Sequence, residues 1–242
     1  MTKVGFLSDI HGDIASLDSA LVRIREMGCT MVLCPGDLLD GVEPFSEEVV
    51  QRMKAENVVT ILGNHERWVL ERRRRQSDLR KSAPSIVAPA DLFTGSAELS
   101  RESLAWLATL PSSWSAEIAG VRVAMWHARP GSDMEGVRGA DTGPYLRRQL
   151  LDQAGADVLV VGHTHDAFSL VAGKGRIVNP GACCSKTYAY KQSGSLAVPD
   201  GYRPATFGVL ALSVNPSTET RQLDAGADMA ELPDRLPFWV DA

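Results

Sequence analysis

The opening of the chain alternates short apolar runs with helical periods, and no other feature limits the possible folds as much. Residues 4–8 form an apolar run, and 9–13 are polar with Gly12 among them. Over 16–27, Leu17, Leu21 and Ile24 recur at helical spacing with Ala20 and Met27 on the same face, and Gly28 stands at the expected stop. Residues 31–34 read as a second strand closed by Pro35 and Gly36. A helix is expected over 45–56, burying Val49, Val50 and Met53, and a third strand over 58–62, ended by Gly63. Strands alternating with helices pair in parallel through right-handed crossovers. The polar residues cluster just past the carboxyl ends of these strands, where open α/β sheets place their ligands.

Further along, a short helix is expected over 100–108, a strand pair over 115–118 and 121–126 around Ala119-Gly120, and a helix over 144–154 with Pro144 in its first turn. Strands are expected over 158–161, 168–172, 177–178 and 207–214. With no internal repeat and no clear linker, the chain reads as a single domain over 1–242. Two stretches stand apart as excursions that can wall a site, 66–99 and the glycine-rich 129–143. The first contains four consecutive arginines at 72–75, either a solvated helix end or a rim that meets an anion. Trp68 and Trp126 could stack on a base, but packing into the interior is the favoured reading for both.

Composition narrows the class. The net charge of −5 argues against nonspecific nucleic-acid binding, and no apolar run approaches the length of a membrane span. The N-terminal MTKVGFLSDIHGD lacks the pattern of a secretion signal. Cys29, Cys34, Cys183 and Cys184 suggest neither a disulfide framework nor a zinc finger, so reduced thiols in a cytoplasm are expected. Plain packing is the expectation for the adjacent pair Cys183 and Cys184.

The chain has five histidines, His11, His65, His127, His163 and His165, and each follows an apolar strand-like run by a few residues. Their segments are Asp9-Ile10-His11, Gly63-Asn64-His65-Glu66, Trp126-His127 and Gly162-His163-Thr164-His165, with Gly36-Asp37-Leu38-Leu39-Asp40 completing the set. Taken singly, each has a structural explanation: a helix cap at Asp9 or Asp13, turn chemistry at Gly36-Asp37 and Gly63-Asn64, a hydrogen-bonded core histidine at His127. Taken together, that account needs five coincidences at one sheet edge. Carboxylate, imidazole and amide oxygens suit Zn, Mn or Fe. A carboxylate can bridge two cations, and two cations about 3.5–4 Å apart can clamp a phosphate and activate water, with no serine or cysteine nucleophile.

In these blocks the sequence resembles the calcineurin-like metallophosphoesterases: D-x-H, G-D-x-x-D, G-N-H-E, a lone His after a strand, and G-H-x-H, in that order over residues 9–165. The run Ser8-Asp9-Ile10-His11-Gly12-Asp13 and the later Asn179-Pro180-Gly181 look like its small bacterial branch, the YfcE-like and diadenosine-tetraphosphatase-like proteins. The resemblance implies a four-layer α/β/β/α sandwich of two mixed sheets. It implies that Asp9, His11 and His165 hold a first metal, that Asp37 bridges, and that Asn64, His127 and His163 complete a second. His65 would face the phosphate as the catalytic residue that is not a ligand. Asp40 and Glu66 would orient histidines from behind. The implied cofactors are two divalent transition-metal ions (Mn, Fe, Zn or Ni), with Mn the first choice.

The expected activity is therefore metal-dependent hydrolysis of a phosphodiester or phosphomonoester by direct attack of a metal-held hydroxide. The substrate is a small phosphorylated molecule, with a modest preference for a nucleotide, and Arg129 is a candidate phosphate contact. Alternatives are a scaffold that keeps the fold without turnover, a nuclease, and a protein phosphatase. The sequence departs from the family pattern at Ala182-Cys183-Cys184-Ser185-Lys186 and at Ala128-Arg129 after the lone histidine, both near the expected substrate rim.

Overall fold

The computed structural model describes residues 2–39, 46–82, 99–184 and 205–212. Two mixed sheets stack face to face with helices outside them. The first has the strand order β3-β2-β1-β9, from β1 (Thr2–Phe6), β2 (Met31–Cys34), β3 (Val59–Thr60) and β9 (Gly208–Leu212). The second has the order β4-β5-β6-β8-β7, from β4 (Ser113–Ile118), β5 (Val121–Trp126), β6 (Val158–Val160), β7 (Phe168–Ala172) and β8 (Gly175–Asn179). β1, β2 and β3 are parallel and β9 is antiparallel to β1. β5, β6 and β8 are parallel, with β4 and β7 antiparallel on the two edges.

Alternation along each strand builds the layers. Val4, Phe6, Leu33, Leu210 and Leu212 from one sheet meet Val121, Val123, Met125, Val158, Val160 and Val178 from the other in an apolar central core. The opposite faces take the helices. Leu17, Leu21 and Ile24 of α1 (Ile14–Glu26) and Val49, Val50 and Met53 of α2 (Ser46–Ala55) cover the first sheet, with Val209 and with Leu107 of α4 (Arg101–Leu107). Leu150 and Leu151 of α5 (Pro144–Ala154) pack over Ala124, Leu159 and Ile177 of the second. Gly5 is where β1 must be bare, since a Cβ there would lie 2.5 Å from Ile24 Cγ2 and push α1 off the sheet.

The helices begin and end on sequence signals. Asp13 caps α1, accepting from the Ser16 backbone N–H at 3.0 Å and from its hydroxyl at 2.8 Å. α5 starts at Pro144 and stops at Gly155 in the left-handed region.

α3 (Asn64–Ser82) is where the structure departs most from expectation. The stretch expected to be an irregular excursion from residue 66 is helical through Ser82; residues 83–98 lie outside the described residues, as does 40–45. Arg, Glu and Leu favour helix, and Arg67–Glu71 and Glu71–Arg75 pairs at (i, i+4) support an exposed one. Among the described residues no helix is long and apolar enough to cross a membrane.

Candidate metal centre

All the parallel strands of both sheets deliver their carboxyl ends to one edge of the sandwich. The loop after β1 carries Asp9 and His11, the loop after β2 carries Asp37, and the first turn of α3, which follows β3, carries Asn64 and His65. The residue after β5 is His127, and the loop after β6 carries His163 and His165. Backbone hydrogen bonds stitch these loops to one another. Asp9 N–H donates to Gly36 O at 3.1 Å, Ile10 and His11 N–H both donate to Asp37 O, and Gly162 N–H donates to His127 O at 2.7 Å.

The loops are tight. Asp9, His11, Asp37, His163 and His165 all adopt positive φ, between 49° and 67°, in the left-handed region that side chains ordinarily avoid. Only two other described non-glycine residues do so, Asn57 and Ala119. Glycines allow the close approaches between loops: a Cβ on Gly63 would lie 2.1 Å from Asp37 Oδ1, and one on Gly162 would lie 2.0 Å from Ser8 Oγ.

Among the described residues three overlapping groups of donor atoms result, the third of them, His11 with Asp37 and His65, joining the other two. In the first, Asp9, His11 and His165 converge. His11 Nε2 and His165 Nε2 are 3.1 Å apart, and His165 Nε2 is 3.4 Å from Asp9 Oδ1. In the second, Asp37, His127 and His163 converge around Asn64. Asn64 Oδ1 is 3.0 Å from both His127 Nε2 and His163 Nδ1, and His127 Nε2 is 3.3 Å from Asp37 Oδ2. Asp37 stands between the groups, its Oδ2 also 4.0 Å from the Nε2 atoms of His11 and His65.

The remaining hydrogen bonds fix which atoms face inward. His127 Nδ1 bonds Pro35 O at 2.8 Å, and His11 Nδ1 bonds Leu39 O at 3.2 Å. A carbonyl only accepts, so these Nδ1 atoms carry protons, and each ring, when neutral, presents its lone pair at Nε2. His127 Nε2 faces an amide oxygen and a carboxylate oxygen, and His11 Nε2 faces another imidazole. Acceptors brought this close repel unless a proton or a metal cation lies between them. With His, Asp and Asn donors, the arrangement fits divalent transition metals.

Protonation follows the same demand. Burial alone would lower His127, but the Asp37 charge and hydrogen bond push it up to about 10. His165 is likewise raised: burial opposes it, and the hydrogen bond and charge of Asp9 prevail. Their neighbours move the other way, His11 lowered by burial and His163 by burial and the charge of His127. Each of the first two groups therefore holds one imidazole drawn toward a proton and one driven to neutrality. Asp9 and Asp37, which burial would raise, are held below the usual carboxylate range by the surrounding histidines.

Three supports brace these loops from behind. Ser8 Oγ donates to Asp9 Oδ2 at 2.5 Å, and the His163 backbone N–H donates to both Asp9 oxygens. Asn179 Nδ2 donates to Gly162 O and to Thr164 Oγ1, bracing the His163–His165 turn from β8. Glu66, fully buried, is the third. Its Oε1 accepts from the Leu38 and Leu39 N–H groups and its Oε2 from those of Asp37 and Gly63, all at 2.9–3.0 Å. The sequence reading has Glu66 orienting histidines; the structure has it clamping the backbone behind Asp37. Burial and the Asp37 charge raise its pKa, while the four donors favour the carboxylate.

The other expected residues are placed as follows. His65, the second residue of α3, is part-exposed, with its ring 4.7 Å from that of His11 and its backbone N–H donating to Asp37 Oδ1 at 3.0 Å. The Arg129 guanidinium pairs with Glu135 within the 129–143 loop. Asp40 lies outside the described residues. Trp126 is partly buried against the second sheet's outer core. Trp68 corrects the packing expectation: it is 45% exposed, because α3 turns that face outward beside His65. Cys34, Cys183 and Cys184 are buried and all four cysteines are free thiols.

The sequence profile of the calcineurin-like phosphoesterase superfamily domain matches residues 2–200. An uncharacterized protein of Methanocaldococcus jannaschii, MJ0912, is 26% identical over 170 residues, 69% of this chain and 64% of that protein. The match thus spans less than two thirds of that relative's length. Two crystal structures share the fold at TM-score 0.61. A hypothetical protein of Pyrococcus horikoshii, PH1004, is 20% identical over 76% of this chain and 77% of its own. A metallophosphoesterase of Sphaerobacter thermophilus is 16% identical over 87% and 84%.

Proposed function

Because the chain belongs to the calcineurin-like phosphoesterase superfamily, we propose that it is a metal-dependent hydrolase of phosphoric esters whose centre holds two divalent cations. Asp9, His11 and His165 would hold one, Asn64, His127 and His163 the other, and Asp37, which stands between the groups, would serve both. The observation that carries this reading is the convergence of potential ligand atoms on two points, His11 Nε2 with His165 Nε2 at 3.1 Å and His127 Nε2 with Asn64 Oδ1 at 3.0 Å. Cations bound there supply Lewis-acid polarisation of the phosphoryl group and acidify a water.

The chain's own groups do the rest. The backbone bonds across the loops and the Glu66 clamp hold Asp37 in place, so the donor set is organised before substrate arrives. His65 is part-exposed at the rim of the cluster and is not among the residues assigned to hold the cations. From that place it donates a hydrogen bond to the oxygen on which charge develops and delivers a proton to the departing alkoxide or phenolate. The substrate is a small phosphorylated molecule, with nucleotides the preferred class.

The test starts from protein stripped with a chelator and resupplied with Mn(II), Fe(II), Zn(II) or Ni(II). Chromogenic phosphomonoester and phosphodiester hydrolysis should return with metal, and His65→Ala should lose about 10²–10⁴-fold in kcat while still binding metal. Two equivalents of bound metal with no hydrolysis of either ester would overturn the hydrolase in favour of a scaffold. Full activity in His65→Ala would remove His65 from its role.

A further inference from the structure

α3 leaves the metal centre carrying a stripe of side chains that begins at His65 and runs on through residues the reaction itself does not use. His65, Trp68, Arg72 and Arg75 follow at spacings of three, four and three residues, so they share one face of the helix. The Trp68 indole lies against His65, with ring centroids 5.2 Å apart and planes tilted by 37°, yet it is 45% exposed. A large aromatic left half in water beside a catalytic centre is a stacking surface without its partner. Beside it opens a cavity of about 380 Å³ lined by Arg67, Trp68, Glu71, Arg72 and Arg75. That volume is in the range of small-molecule sites. Three guanidiniums face one carboxylate there. Arg67 is engaged with Asp133 and with Glu71, tying the helix to the 129–143 loop and fixing this wall.

We infer that this cavity is the leaving-group subsite, and that it takes a nucleotide bearing a second phosphate: the base stacks on Trp68 and the further phosphate meets Arg72 and Arg75. The inference deepens the phosphoesterase reading and rests on it. A base stacks on an indole whatever its identity, and a guanidinium fork matches phosphate oxygens in pairs. With a helical rise of about 1.5 Å per residue, Arg72 and Arg75 lie about 10 and 15 Å along the axis from His65. The stripe therefore reads a group extending away from the scissile phosphorus, beyond what a phosphoryl group alone would reach.

The experiment measures inhibition of chromogenic ester hydrolysis by the full-length, Mn-loaded protein. The competitors are inorganic phosphate, AMP and adenosine 3′,5′-bisphosphate. The inhibition constant should fall about tenfold from phosphate to AMP, since stacking of one base is worth about this much or more, and by about as much again to the bisphosphate through charge-assisted bonds to the two arginines. Trp68→Ala should erase the AMP-to-phosphate ratio while Trp68→Phe keeps most of it. The Arg72→Gln/Arg75→Gln double variant should erase only the bisphosphate-to-AMP ratio. Equal constants for AMP and phosphate, or ratios that the variants leave unmoved, would overturn the subsite with the hydrolase reading intact. A single-stranded oligonucleotide that competes better than the bisphosphate would overturn it in favour of a polymer groove. Absence of any chromogenic hydrolysis overturns the hydrolase reading, and the subsite with it.

Discussion

Replacing Glu66 by glutamine exchanges one carboxylate oxygen for an NH₂ group in a pocket that offers only donors. The native side chain is fully buried and accepts four backbone N–H groups, two on each oxygen. Glutamine can satisfy the pair at one oxygen and must turn its NH₂ toward the other pair. Two buried N–H donors then lose their acceptor, at about 1–3 kcal/mol each, and the two retained bonds lose their charge assistance. Removing a buried charge that Asp37 repels returns part of this. The net cost is about 3 kcal/mol. For a urea slope of about 1–3 kcal/mol/M, the unfolding midpoint falls by on the order of 1 M with the slope unchanged. Because three of the four donors belong to residues 37–39, metal affinity measured by calorimetry should fall as well. A midpoint within about 0.2 M of the parent, with metal affinity unaltered, would refute the claim that this carboxylate holds the Asp37 loop.

Other perturbations separate the parts of the site. Asp37→Asn should weaken both metal equivalents together in a titration, because Asp37 Oδ2 approaches His127, His11 and His65; loss of one equivalent alone would rule out a shared carboxylate. In metal-free protein the folded-state pKa of His127, raised to about 10, lies above its unfolded value near 6.5. Its contribution is therefore full below about pH 6.5 and is lost as pH rises through 10, so the chelator-treated protein should melt at falling temperature over that window. A melting temperature that rises from pH 6.5 to 9, or a slope that is undiminished in His127→Gln, would contradict this.

Much of the fold was legible because its elements announce themselves locally. The helix over 144–154 has its proline and glycine punctuation, and the strand over 121–126 has its apolar run and the turn at Ala119-Gly120, where both residues adopt positive φ. What periodicity could not reveal is partnership. β1 and β9 are buried on both faces, so an apolar run carries no sign that the last strand returns antiparallel beside the first. α3 escaped full recognition because its run of arginines has a thin apolar face, Val69 and Leu70, and owes its helix to propensity and charge pairs. At the site, residue types singled out loops that the structure brings together. The backbone conformation of those loops had no residue-type signal, and Glu66 grips N–H groups 27–29 positions away that any sequence could supply.

The left-handed backbone at Asp9, His11, Asp37, His163 and His165 sets chemistry against ease of folding. At about 1 kcal/mol apiece, these five positions together withhold about 5 kcal/mol, a sum comparable to the whole stability of many domains. Glycine would sit more comfortably at every one of them and would bring no donor atom. Selection for robustness alone would thus drift these loops toward a sturdier, inert protein.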